Sequence, residues 1–180
     1  MQVHQPNTLT LPASVIAIGA FDGIHLGHQR LIERVVNRSK EMGVPSLVYT
    51  FDPPPRVYFQ GARMLTSIEE KLERLATLQV DHVVVAPFDF SYTQQRAIEY
   101  IKELSSLNPS EIIVGGDFRF GYKREGGLDD LRRYFQVKVF PSVCCSQGRV
   151  VSSSRIRELI SHNAYTEAQS LLNWNTLDES

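Results

Sequence analysis

Short apolar runs alternate along the chain with longer stretches in which apolar positions recur every three to four residues. Val15–Ile18, ended by Gly19, predicts a buried strand. From about Gly27 to Met42 the spacing predicts a helix, with Leu31, Val35 and Met42 on one face and Ile32 and Val36 beside them. Gly43 follows as its C-terminal cap. Leu47–Phe51 predicts a second strand, and Pro53, Pro54 and Pro55 stop it, because proline cannot donate to a ladder. These prolines predict a rigid loop at the strand end. Ser67 and Glu70 have the spacing of a capping box, with Ile68, Leu72 and Leu75 as the apolar face behind it. Val83–Ala86 predicts a third strand, and Ala97, Ile101 and Leu104 mark another helix. Ile112–Val114 predicts a fourth strand, followed by the glycine-bearing loop Gly115–Gly127, and Val137–Phe140 a fifth. Ser154–Ile160 and Thr166–Leu172 read as two closing helices. Residues 1–14 are polar and read as a loose lead-in or an edge strand.

Strands alternating with helices imply an α/β fold: a doubly wound, mostly parallel sheet with helices on both faces. The 180 residues contain no repeat and no interdomain linker, so a single domain spanning 1–180 is expected, with its core at about 14–172. A chain of this length buries about 70% of its unfolded surface, enough for a core without disulfides or a structural metal. Ligands of such sheets bind beyond the carboxyl ends of the strands. That rule draws attention to the segments after the first, second and fourth predicted strands.

Composition narrows the class of partner. The formal net charge of −1 gives no global positive field for a nucleic-acid backbone, so anion binding must be local. No apolar run approaches the roughly 20 residues of a membrane span, and the amino terminus lacks the charged-then-apolar pattern of a signal peptide. No nucleic-acid or membrane partner is therefore expected. Cys144 and Cys145 are adjacent, a spacing that suits neither a disulfide nor a zinc site, and a reducing, cytoplasmic compartment is the expectation.

Four segments carry candidate chemistry. Gly19-Ala20-Phe21-Asp22-Gly23-Ile24-His25-Leu26-Gly27-His28 joins the first strand to a helix. Unpaired N–H groups at a helix start favour an anion, glycines let backbone approach it, and His25 and His28 can each donate to a phosphate oxygen, more strongly if protonated. The plainer reading is a glycine-rich turn with capping histidines. Val151-Ser152-Ser153-Ser154-Arg155-Ile156-Arg157 also opens a helix. A cap needs one hydroxyl; three serines with two arginines exceed that need and suit an anion site that Arg157 reaches from about one turn in. Gly115-Gly116-Asp117-Phe118-Arg119-Phe120-Gly121 is either a plain turn or a loop whose Asp117 accepts from a ribose or a base edge, with Phe118 and Phe120 read as core. In Thr50-Phe51-Asp52-Pro53-Pro54-Pro55-Arg56 the prolines fix a loop above the sheet and Arg56 can meet a phosphate. There is no GxxxxGK[ST] and no GxGxxG, which excludes a P-loop protein and argues against a dinucleotide dehydrogenase.

Together these segments resemble the FMN adenylyltransferase module of bacterial FAD synthetases, within the HxGH nucleotidyltransferase superfamily. The stretches GAFDGIHLGHQ, TFDPPP, LTSIEEKLERL, VDHVVVAPFD, GGDFRFG and VSSSRIRELI occur in the family's order over about residues 14–172. The resemblance implies a Rossmann-like sheet of the nucleotidyltransferase type. It also implies the reaction of ATP, accompanied by Mg²⁺, with FMN as substrate to give FAD as product and pyrophosphate. By motif position, the implied catalytic residues are His25, His28, Ser153 and Arg157. The implied ATP-binding set is Gly19, Phe21, Asp22, Gly23, His25, Gly27, His28, Asp117, Ser152, Ser153, Ser154 and Arg157. Asp22 orients its loop, and Asp117 sits near the ribose, the adenine or the metal. The flavin lies across the proline loop, with Phe51, Asp52, Pro53 and Arg56 as FMN-binding candidates. No protein ligand is assigned to the metal, which the ATP phosphates carry.

Three departures from the family pattern matter. Pro54 replaces the usual histidine of the F-D-P-H-P loop, and Ser154 replaces a threonine. The third is the carboxyl end, Leu171-Leu172-Asn173-Trp174-Asn175-Thr176-Leu177-Asp178-Glu179-Ser180, which lacks the usual lead into a riboflavin kinase domain, so no kinase activity is expected. Two other readings compete: a non-catalytic flavin- or nucleotide-binding paralogue, and another HxGH adenylyl- or cytidylyltransferase.

Overall fold

The four central apolar runs lie side by side in one sheet. The computed structural model describes residues 1–174. Its strands are β1 (Gln2–His4), β2 (Ser14–Ile18), β3 (Ser46–Asp52), β4 (His82–Pro87), β5 (Pro109–Gly115) and β6 (Val137–Phe140). They are arranged β1-β4-β3-β2-β5-β6, and every neighbouring pair is parallel. The predicted "mostly parallel" sheet is thus parallel throughout. The polar lead-in resolves into edge strand β1 followed by irregular chain.

The helices are α1 (Leu26–Met42), α2 (Pro55–Gln60), α3 (Ile68–Thr77), α4 (Phe90–Thr93), α5 (Ala97–Ser105), α6 (Leu128–Arg132), α7 (Ser153–Ser161) and α8 (Tyr165–Leu172). Alternate residues of the central strands face opposite layers, as the pleat requires. Val15, Ala17, Val48, Val83 and Ile113 pack with Leu31, Ile32, Val35 and Val36 of α1 and Leu75 of α3. Ile16, Ile18, Leu47, Tyr49, Val84, Ile112 and Val114 pack with Tyr100, Ile101 and Leu104 of α5 and Leu131 of α6. Both faces are covered, which is why these strands read as continuous apolar runs with no polar face. A third cluster, Val151, Ile156, Ala168 and Leu171, holds α7 and α8 against Leu26 and Leu65.

Local signals act where the sequence puts them. Gly43 adopts a left-handed φ of 66° and donates to the carbonyls of Lys40 and Ser39, closing α1. Ser67 and Glu70 form a reciprocal capping box, with bonds of 3.2 and 2.9 Å, at the start of α3. The proline segment differs from the expected loop. Pro54 caps a helix, and Pro55 occupies the first turn of α2, where a missing N–H has no intrahelical partner to lose. Helices α2, α4 and α6 were not expected from periodicity; with four to six residues each, they are too short to show it. Among the described residues, no helix is long and apolar enough to cross a membrane. The reading of the carboxyl end falls partly on residues 175–180, which lie outside the described residues.

The strand order sets the position of the site. The chain winds outward from β2 through β3 to β4, then returns to place β5 on the other side of β2. The carboxyl ends of β2 and β5 therefore flank a topological switch point, where the connections diverge and leave a crevice. The segments Gly19–His25 and Gly115–Gly121 both start there.

Candidate active site

The turn between β2 and α1 is tightly determined. Phe21 and Ile24 hold positive φ values of 47° and 40°, a conformation that disfavours side chains with a Cβ. Burial of both side chains in the core holds them there. Gly23, at φ 83°, has no such freedom to change: a Cβ would meet Leu172 at 3.0 Å and Leu65 at 3.1 Å. At Gly19 a Cβ would meet the Phe21 ring at 3.0 Å. Phe21, expected among the ATP-binding residues, is 1% exposed and faces the core. Its ring stands edge-on to His28 at 5.2 Å and supports the site from beneath.

His25 is the N-cap of α1, and its Nδ1 accepts from the backbone N–H of His28 at 3.4 Å. That bond places the imidazole proton on Nε2. The rings of His25 and His28 stack 3.6 Å apart with an interplanar angle of 18°. Burial holds the His25 pKa down to about 4. His28 also lies well below the ordinary histidine range, first through burial and then through repulsion from His25 and Lys71. Both imidazoles are thus neutral at pH 7, so the option of protonated donors does not apply to this state. The Nδ1 atom of His28 is buried and has no hydrogen-bond partner in the protein.

The serine–arginine segment meets this turn directly, although it lies far along the chain. Ser152 caps α7 by accepting from the N–H of Arg155. Ser153 Oγ donates to the Asp22 carbonyl at 2.9 Å. Arg157 donates through Nη2 to Asp22 Oδ2 and through Nε to the Arg63 carbonyl at 2.7 Å. Asp22, 2% exposed, also accepts at Oδ1 from the N–H groups of Leu65 and Thr66, at 3.0 and 3.3 Å. Through these bonds Asp22 and Arg157 tie the loop after β2, the 63–66 segment and α7 into one unit. Arg56 at the start of α2 reaches Ser154 Oγ, which joins the proline segment to the same helix. Asp117 is exposed beyond the end of β5, while Phe120 is core and Phe118 stacks on it at 5.7 Å.

Two features escaped the sequence reading. The first is Lys71 on α3, 1% exposed. Its Nζ donates to the carbonyls of Ala20 and Phe51, both at 3.0 Å, and to Thr50 Oγ1 at 3.4 Å. Burial lowers its pKa to about 8, against the opposing pull of Asp22 and Asp52. A lysine at a core position of the 68-72-75 stripe was the available signal. The second is an aromatic cluster beside the proline segment. Phe51, Tyr58, Phe59, Phe88 and Tyr92 have ring centroids 5.2–5.9 Å apart. Phe59 is 66% exposed and the nearby Phe90 72%. The sequence reading singles out only Phe51, because the other rings come from two further segments, residues 58–59 and 88–92.

A sequence profile of the FAD synthetase family matches residues 8–155. The chain belongs to the FAD synthetase family. A Geobacillus thermodenitrificans protein, named provisionally as a bifunctional riboflavin kinase/FMN adenylyltransferase, is 53% identical over 175 residues, covering 97% of this chain and 98% of that protein. The bifunctional riboflavin kinase/FMN adenylyltransferase of Haemophilus influenzae is 33% identical over 180 residues. This chain spans 58% of that protein's length. A crystal structure described as a macrolide-efflux protein from Streptococcus pneumoniae superposes with a TM-score of 0.82 at 26% identity, over 96% of this chain and 61% of that one. That structure therefore shares the α/β fold described above.

Proposed function

We propose that this chain, as a single adenylyltransferase domain, transfers AMP from ATP to FMN, giving FAD and pyrophosphate. One observation carries the reading. Two phosphate-type segments more than a hundred residues apart converge on Asp22 at the sheet's switch point, beside an exposed aromatic surface. Names of relatives from Haemophilus and Geobacillus include the same activity.

The residues suit in-line displacement, which needs positioning and charge stabilisation more than a covalent group. The FMN phosphate is already a nucleophile, so no strong base is required. It attacks the α-phosphorus of ATP as the bond to the β-phosphate oxygen breaks. Neutral His25, with its proton on Nε2, and His28 donate hydrogen bonds to the phosphoryl oxygens where charge develops. Ser153, Ser154 and Arg157 hold the β- and γ-phosphates and then the departing pyrophosphate. Arg157 reaches them with its guanidinium already oriented by Asp22 and the Arg63 carbonyl. Mg²⁺ enters as part of the ATP substrate. The isoalloxazine ring stacks on the cluster around Phe59 and Phe88, next to Phe51, Asp52, Pro53 and Arg56. Asp117 accepts from the adenosine end. The proposed compartment is the cytoplasm, where ATP is supplied.

The test is incubation of the purified chain with ATP, Mg²⁺ and FMN, with riboflavin in parallel, and separation of flavins by chromatography with fluorescence detection. FAD from FMN and none from riboflavin is the expected result. ATP and FMN binding without FAD would favour a flavin- or nucleotide-binding paralogue.

A further inference from the structure

Lys71 is the only buried lysine among the described residues, and no step above uses it. It enters the site from α3, the helix behind both substrate segments. Its Nζ reaches the Ala20 carbonyl, in the turn that carries Asp22 and His25. It also reaches Thr50 Oγ1 and the Phe51 carbonyl, at the strand end that opens the proline segment. Thr50 Oγ1 itself donates to the Ala20 carbonyl at 3.0 Å, so the three acceptors form one patch across β2 and β3. An ammonium has three N–H donors, one for each of these acceptors. A neutral amine has two, and at least one of the three bonds from Lys71 is then lost.

We propose that Lys71 is a positioning residue whose ammonium clamps the phosphate turn after β2 to the strand end that starts the flavin segment, so that the two substrate phosphates meet in line. This inference rests on the adenylyl-transfer reading. The two substrates bind on different connections of the sheet. The last backbone bond between β2 and β3 runs from the Gly19 N–H to the Tyr49 carbonyl. Beyond it Thr50 Oγ1 and Lys71 hold the Ala20 carbonyl, with Lys71 alone of the two reaching on to the Phe51 carbonyl. A small error in the mutual placement of reacting groups, on the order of 1 Å, is enough to lower a rate about 10²-fold. Charged groups facing Lys71 are Asp22 from the turn after β2, Asp52 from the end of β3 and, when protonated, His28 from α1. Asp22 is occupied on its other side by Arg157.

Activity and stability then respond to alkaline pH in opposite directions. With a pKa of about 8 in the fold against 10.5 ordinarily, Lys71 releases its proton in the folded protein first. Between these values the unfolded chain holds the extra proton, so this group raises stability as pH rises. The clamp weakens over the same interval, and the rate of FAD formation falls.

The experiment compares the wild-type chain with Lys71→Met and Lys71→Arg from pH 6 to 10, with thermal melts and backbone hydrogen exchange on each. Wild type is expected to lose rate above about pH 8. A folded Lys71→Met is expected to show a kcat about 10²-fold lower, KM values within a few-fold, and no alkaline limb. Lys71→Arg should recover part of kcat and, since arginine does not titrate here, also lack that limb. Hydrogen exchange at residues 19–25 and 50–56 should rise together in Lys71→Met. An alkaline limb that persists in a folded Lys71→Met, or a kcat equal to wild type, would overturn the proposal. If Lys71→Met does not fold, a side-chain ammonium resonance of Lys71 that titrates apart from the wild-type rate overturns it equally. No FAD from wild type at any pH defeats the adenylyl-transfer reading; the in-line role then falls with it, and hydrogen exchange decides only whether the clamp itself exists.

Discussion

The two sides of the proposed site, one proposed to hold the phosphates and the other the flavin, are built by different means. On the phosphate side, Asp22 is buried and satisfied by two backbone N–H groups and Arg157, and Ser153 donates to the carbonyl of the same residue. His25 is fixed as a helix cap, and His28 is stacked on it. On the flavin side, Phe59 and Phe90 stand largely in solvent, and the cluster is joined by ring contacts at 5.2–5.9 Å. Charge that develops in a transition state is stabilised best by dipoles already in place, so the phosphate side gains from rigidity. A planar ring needs apolar area and tolerates small displacements, so the flavin side does not require the same constraint.

This contrast predicts unequal responses to substitution. Asp22→Ala leaves the Arg157 guanidinium without its carboxylate and frees the N–H groups of Leu65 and Thr66. A loss of about 3–5 kcal/mol is expected in urea unfolding, the range for breaking one side of a buried pair. A loss below about 1 kcal/mol would mean that Asp22 does not organise the phosphate side. His28→Ala is expected to keep the fold and to lower turnover by about 10²–10³, from the loss of one preorganised donor. Steady-state kinetics with a matching circular dichroism spectrum decides it, and an equally active variant removes His28 from the mechanism.

Acid should loosen the phosphate side first. His25 titrates at about 4 in the fold against 6.5 ordinarily. Below pH 6.5 the unfolded chain takes up the proton that the folded protein refuses, so the stability present at neutral pH is lost progressively down to about pH 4. His25 alone accounts for about 3 kcal/mol of this. Urea melts at pH 7 and 4.5 measure it, and equal stability at both would show that His25 is not held neutral. The smallest effect belongs to the flavin side. Phe59→Ala should weaken FMN binding by about 1 kcal/mol, roughly fivefold, while ATP affinity stays unchanged. Fluorescence titrations with each ligand separate the two, and a matching loss of ATP affinity would erase the contrast between the sides.

Legibility in the sequence follows the same division. Strands β2, β3, β4 and β5 are buried on both faces and appear as apolar runs, and the cap of α1 and the capping box of α3 are set by residues three to four apart. The segments proposed to hold phosphate are legible because helix-start chemistry is local: His25 and His28, or Ser152 and Arg155, are neighbours in sequence. What joins them is not local. Asp22 meets Arg157 across 135 positions and Lys71 meets Ala20 across 51, and no spacing rule announces either contact. The burial of Phe21 is hidden for a related reason: a residue inside a glycine-rich turn can point its side chain into the core. The short helix α2 was hidden by its prolines, which stop a strand and start a helix equally well.

The central claim is that the site transfers an adenylyl group. The most direct measurement follows labelled phosphorus from ATP into the flavin product, with the label at the α- or the γ-position, using FMN and riboflavin as acceptors. Adenylyl transfer predicts that α-label appears in FAD and γ-label in pyrophosphate, with FMN as the acceptor. A γ-label in the flavin product, or no label in any flavin, would contradict it.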